Sequence, residues 1–215
     1  MASVYRMRML VLVLLAALAA PCAHAADLQV TLHTGRGQPI RDAVVTYYPQ
    51  GGAPTSAVRF DWPYRMAQQN LQFDPFVLVV PVGSTVAFPN RDTVRHQVYS
   101  FSPAKSFELK LYGREETRTV RFDRVGVIAL GCNIHDSMVG FIKVVDTPYA
   151  AKTDAQGRAT LHGLPAGPGA LKVWHPYMKA PGNEISGAVV LPRDGLVGRA
   201  ETADVRSPPI RRNTY

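Results

Sequence analysis

The octapeptide Gly131-Cys132-Asn133-Ile134-His135-Asp136-Ser137-Met138 sets a thiol, an imidazole and a thioether within seven residues. His96 lies 36 residues upstream of Cys132. Two imidazoles and one thiolate in a trigonal plane, with a weak axial thioether, are the donors of a mononuclear electron-transfer copper site. Soft sulfur ligands favour copper over zinc, magnesium or calcium. His96, Cys132, His135 and Met138 are therefore the candidate ligands of one Cu(I)/Cu(II) ion. Asn90 and Asp92 lie just ahead of His96 and read as groups that support a ligand or tie the loop.

The start of the chain bears on this chemistry. Arg6 and Arg8 precede the apolar run Met9–Ala20, and Ala23-His24-Ala25 is a small-x-small cleavage signal. Residues 1–25 read as a secretory signal peptide cut near Ala25, too short to be a membrane anchor. Cleavage would remove Cys22 and leave Cys132 as the one thiol among 190 residues. An odd cysteine in an exported protein points to intermolecular pairing or to a thiol with chemical work. Metal ligation is such work. The expected location is the periplasm or another exported compartment, with no stable membrane insertion.

Charge narrows the partner class. The full chain carries a formal charge of +8. Its basic residues, including Arg91, Arg95, Lys105, Lys110, Arg114, Arg118, Arg121 and Arg124, are scattered. No helix or aromatic-rich groove gathers them, which argues against nucleic acid. A basic surface suits steering toward an acidic redox protein.

Short runs rich in Val, Ile, Phe, Tyr and Thr, broken by Gly and Pro, must position these groups. They predict an all-β chain. Strands are expected over 76–82, 85–88, 96–101, 116–122, 127–130 and 139–145. Cys132 then ends one strand and Met138 opens the next, so a short loop between adjacent strands carries three ligands.

Residues 66–146 resemble a cupredoxin, of the plastocyanin, azurin and amicyanin group. The resemblance is carried by Phe73-x-Pro75, Gly83-x-x-Val86-x-Phe88-x-Asn90-x-Asp92, His96 and Cys132-x-x-His135-x-x-Met138. Small exported cupredoxin-like proteins named for methylamine utilisation are similar again through their Gly-Cys-Asn-Ile-His-Asp block. The resemblance implies a Greek-key β-sandwich, one copper ion and one-electron transfer without substrate chemistry. Such proteins carry a bulky aromatic where Ser137 stands.

The flanks differ in kind. Gly37-Gln38-Pro39-Ile40-Arg41-Asp42-Ala43-Val44-Val45 and Thr153–Gly167 resemble the two ends of a carboxypeptidase-regulatory-like, or transthyretin-like, β-sandwich. Neither 27–58 nor 147–194 alone is long enough to bury a core. The expectation is a cupredoxin domain inserted into this second, smaller sandwich, with 195–215 a loose polar tail.

Other chemistries are poorly served. His162, His175 and Met178 sit at a turn edge and a strand end, which disfavours a second metal site, and His33 has no evident partner. A copper carrier or storage protein would be richer in Met than this chain beyond residue 25, with Met66, Met138 and Met178. An open-site copper enzyme stays in view because Ser137 leaves space beside the ligand loop.

Overall fold

The computed structural model describes residues 25–53 and 58–207. Its strands are β1 (Ala26–His33), β2 (Val44–Pro49), β3 (Ala67–Gln69), β4 (Gln72–Asp74), β5 (Val77–Pro81), β6 (Ser84–Pro89), β7 (His96–Ser102) and β8 (Lys105–Tyr112). They continue as β9 (Thr117–Phe122), β10 (Gly126–Gly131), β11 (Val139–Val145), β12 (Ala150–Lys152), β13 (Arg158–Leu164), β14 (Gly167–Trp174), β15 (Glu184–Leu191) and β16 (Gly195–Thr202). A single 3-10 turn, Pro181–Asn183, is the only helical element among the described residues. The all-β expectation holds.

The middle strands form a five-stranded sheet in the order β5-β11-β10-β7-β8, faced by the pair β6-β9. Leu78, Val80, Val98, Ile128 and Ile142 from the sheet pack against Val86, Phe88, Val120 and Phe122 from the pair. Alternation puts these residues inside: in β6, Val86 and Phe88 are buried while their neighbours are not. Cys132 and Met138 belong to the same core.

The outer strands pair among themselves. β1 lies between β13 and β16, and β2 between β12 and β14. Strands before residue 50 thus pair with strands after residue 149. Their buried faces, including Leu28, Val30, Leu32, Val45, Tyr47, Leu161, Leu171 and Val173, make a separate core.

Every residue of β5 is buried, the pattern of a strand covered on both faces. Leu78 and Val80 face the middle core. Val77 and Val79 face the other way and pack with Val145, Val44, Ala150 and Trp174. Phe141 meets Trp174 edge-on, with ring centroids 6.1 Å apart. This third apolar cluster joins the two sandwich-like bodies.

One expectation needs correction. Gly195–Thr202, read as part of a loose tail, is strand β16, parallel to β1 from Ala26↔Gly195 to His33↔Thr202. It is a half-covered edge strand: Val197, Arg199 and Glu201 turn partly inward, and their neighbours are exposed. Arg199 is held by Glu201 and by the Ala188 carbonyl. Polar composition concealed the period of two. Residues 208–215, and residues 1–24 of the expected signal peptide, lie outside the described residues.

Candidate metal centre

The ligand loop is pinned at both ends. Gly131 on β10 pairs directly with Val139 on β11, so residues 132–138 span a gap between paired residues. Gly131 also pairs with Tyr99 on β7. A Cβ at Gly131 would lie 2.6 Å from Cζ of Tyr99, so only glycine lets that ring lie over the strand end that carries Cys132. His96 opens β7 and pairs with Tyr112 of β8. Within the loop, the Met138 N–H donates to the His135 carbonyl at 2.9 Å.

His96, Cys132 and His135 converge. The Nδ1 atoms of the two histidines lie 3.1 Å apart, and Cys132 Sγ lies 3.9 Å from His96 Nδ1 and 3.8 Å from His135 Nδ1. The circumcentre of a triangle with these sides is about 2.1 Å from every corner, close to the bond lengths of ~2.0–2.1 Å to nitrogen and ~2.3 Å to sulfur that such metals adopt. One ion in the plane of the three atoms therefore fits, which is the trigonal arrangement. Among the described residues, no other group of three His, Cys, Asp or Glu side chains comes together in this way. Met138 is fully buried beside Cys132 in the same core.

Surrounding groups fix the donors. His96 Nε2 lies 2.7 Å from Asp92 Oδ2, which places the ring proton on Nε2 and leaves the Nδ1 lone pair for a metal. Asn90 is wholly buried; its Nδ2 donates to the Val94 and Tyr112 carbonyls, and its Oδ1 accepts the Asp92 N–H at 2.9 Å. Asn90 thus ties the loop that carries Asp92. The single Tyr112 hydroxyl proton has two oxygens in reach, Gln68 Oε1 at 2.5 Å and the Phe88 carbonyl at 2.9 Å, and holds the strand partner of His96 in place.

Electrostatics suit a cation. Burial pushes the Cys132 thiol up, but hydrogen bonds from His96 and from the Gln97 and Ile134 N–H groups outweigh it, and the net shift is downward, toward thiolate. For His96, burial pulls the pKa down, and Cys132 and Asp92 together raise it above the ordinary value. His135 is lowered by burial and by the charge of His96. Metal binding needs deprotonated ligands, and the downward shifts of Cys132 and His135 favour them, while the upward shift of His96 is one a bound cation must overcome.

The other histidines among the described residues lie elsewhere, His33 at the end of β1. His162 is exposed and pairs with Asp27 at 2.8 Å. His175 is buried and accepts the Tyr177 N–H, while Met178 belongs to the outer-strand core. The sequence reading did not find the Asn70 and Leu71 N–H groups that grip Asp92 at 2.6 and 3.0 Å. Backbone donors 21 and 22 residues away leave no mark in a spacing pattern.

No protein-family model matches this chain, and no curated protein matches it in sequence. Several solved structures are similar. A purple cupredoxin from Nitrosopumilus maritimus matches over 38% of this chain and 98% of its own, at 24% identity and a TM-score of 0.35. A reduced mutant of amicyanin matches over 48% of this chain and 99% of its own, at 19% identity and a TM-score of 0.37. A copper-containing nitrite reductase from Thermus scotoductus SA-01 matches over 54% of this chain, at 23% identity and a TM-score of 0.38. The match spans 28% of that chain's length.

Proposed function

We propose that this protein would hold one copper ion through His96, Cys132 and His135, with the Met138 thioether as a weaker fourth donor, and shuttle single electrons between redox proteins. The carrying observation is the triangle of two Nδ1 atoms and one Sγ with sides of 3.1, 3.8 and 3.9 Å. Copper bound there supplies the Cu(I)/Cu(II) couple.

The protein's own groups do the rest. Asp92 orients His96, and the Gln97 and Ile134 N–H groups hold the Cys132 sulfur. Burial of His96, Cys132 and Met138 keeps water from the donors. Two paired strand ends fix the loop, so little needs to move between oxidation states. His135 is half-buried on that loop and is the natural electron port. Beside it Ile134 is 49% exposed. Val94, two residues before His96, and Leu111, next to its strand partner Tyr112, are 41% and 40% exposed. An apolar rim with the exposed Arg91 and Arg95 suits a brief encounter with an acidic partner. We read the protein as exported, and the outer strands as one transthyretin-like domain into which 66–146 is inserted.

A groove of about 410 Å³ favours a second reading. It is lined by Tyr99, Gly131, Cys132, Asp136 and Met138, and it would admit a small ligand beside the metal in an open-site copper enzyme. Titrating the copper-loaded protein with a reductant, with and without azide, separates the two. One electron per protein with an unperturbed spectrum supports the shuttle. A new azide-to-copper band supports the enzyme.

A further inference from the structure

The turn Gln69–Gln72 joins β3 to β4, far from the ligand loop in sequence. Asn70 and Leu71 both adopt left-handed backbone conformations, with φ of 55° and 56°. Asparagine tolerates this region, and leucine enters it only at a cost. The result is that two successive N–H groups aim at one carboxylate. The Asn70 N–H donates to Asp92 Oδ1 at 2.6 Å, and the Leu71 N–H to Asp92 Oδ2 at 3.0 Å.

Asp92 has no slack. Its own N–H is held by Asn90 Oδ1, and the Arg91 N–H is held by the Gln68 carbonyl at 2.9 Å. Oδ2 is the oxygen that accepts the His96 Nε2–H. One atom is therefore shared between the Leu71 amide and the ring of a candidate metal ligand.

We propose that the Asn70–Leu71 turn is a positioning element of the metal centre, acting through Asp92 to set how strongly His96 donates. The proposal rests on the metal-binding reading above. A carboxylate draws on the His96 ring proton and so makes Nδ1 a better donor. Two amide donors on the same carboxylate temper that pull. Loosening the turn strengthens the pull, favours the oxidised ion and lowers the reduction potential. Removing the carboxylate does the reverse.

The test uses the full chain loaded with copper. Inserting one glycine between Asn70 and Leu71 leaves every ligand and Asp92 in place, and the potential should fall. Asp92→Ala should raise it and weaken Cu(II) binding about 10- to 100-fold. Leu71→Gly keeps the N–H and should change neither. A turn serving only stability would not move the potential in opposite directions. The wild-type protein supplies a second readout that no folding failure can spoil. On adding Cu(I) to the metal-free protein, the Asn70 and Leu71 amide NMR signals should shift together with the His96 ring signals. Copper uptake with those amides unmoved, or an insertion variant whose potential is unchanged or higher, overturns the proposal alone. A protein that takes up no Cu(I) overturns the metal-binding reading itself.

Discussion

The Nδ1 atoms of His96 and His135 face each other at 3.1 Å across 39 residues of sequence. Two lone pairs at that distance repel unless a cation or proton lies between them. The two rings are placed independently, His96 by Asp92 and by its pairing on β7, His135 by a loop pinned at Gly131 and Val139. Contacts made by the protein itself thus direct both rings to one point.

Cys132→Ser should abolish the intense visible absorption of the copper-loaded protein while the fold survives. The thiolate is the origin of that band, and an alcohol does not replace it. Burying a hydroxyl in place of the thiol should cost about 1–3 kcal/mol, read from a thermal melt followed by circular dichroism. A variant that stays blue contradicts the ligand assignment.

Met138→Leu nearly conserves volume in the core and should cost less than about 1.5 kcal/mol. Copper should stay bound, and its reduction potential should rise because the thioether no longer stabilises the oxidised ion. Voltammetry showing no shift counts against an axial role.

What the sequence made legible was local. Cys132, His135 and Met138 share one loop, and alternating residues marked β6, β7, β9, β10 and β11 within a residue or two. β8 escaped although Phe107 and Leu109 alternate with Ser106, Glu108 and Lys110, because those charged and polar neighbours read as surface. β16 escaped for a similar reason: its partner β1 lies some 170 residues away and its inward side includes Arg199 and Glu201. The grip of Asn70 and Leu71 on Asp92 is made by backbone atoms, which carry no residue-type signal.

Trp174→Ala should destabilise the protein by about 3–5 kcal/mol, because the ring fills the cluster joining the two bodies. Trp174 packs edge-on against Phe141 and under the Lys143 ammonium, 5.3 Å from its ring centroid. Chemical denaturation measures the loss. The copper spectrum should be unchanged, since Trp174 lies in a different cluster from Cys132. A loss under 1 kcal/mol would mean that the two bodies scarcely support one another.

His175 gives the protein an acid weakness away from the metal. Burial pushes its imidazole down to about 4 from an ordinary 6.5, and the Asp42 carboxylate offsets this only in part. Between these values the unfolded chain binds a proton that the folded protein does not. Stability is therefore complete above pH 6.5, falls as the pH drops through the window, and levels off near pH 4. The loss is on the order of 3 kcal/mol. His175→Gln should remove this part of the slope in denaturation curves measured from pH 7 to 4.

The most direct measurement is a Cu(II) titration of the metal-free protein followed in the visible region. An intense blue thiolate-to-copper band that grows linearly and stops at one equivalent is the result expected of a closed trigonal site. Binding without that band, a red or yellow-green spectrum of a tetragonal site, or no binding at all would contradict the account.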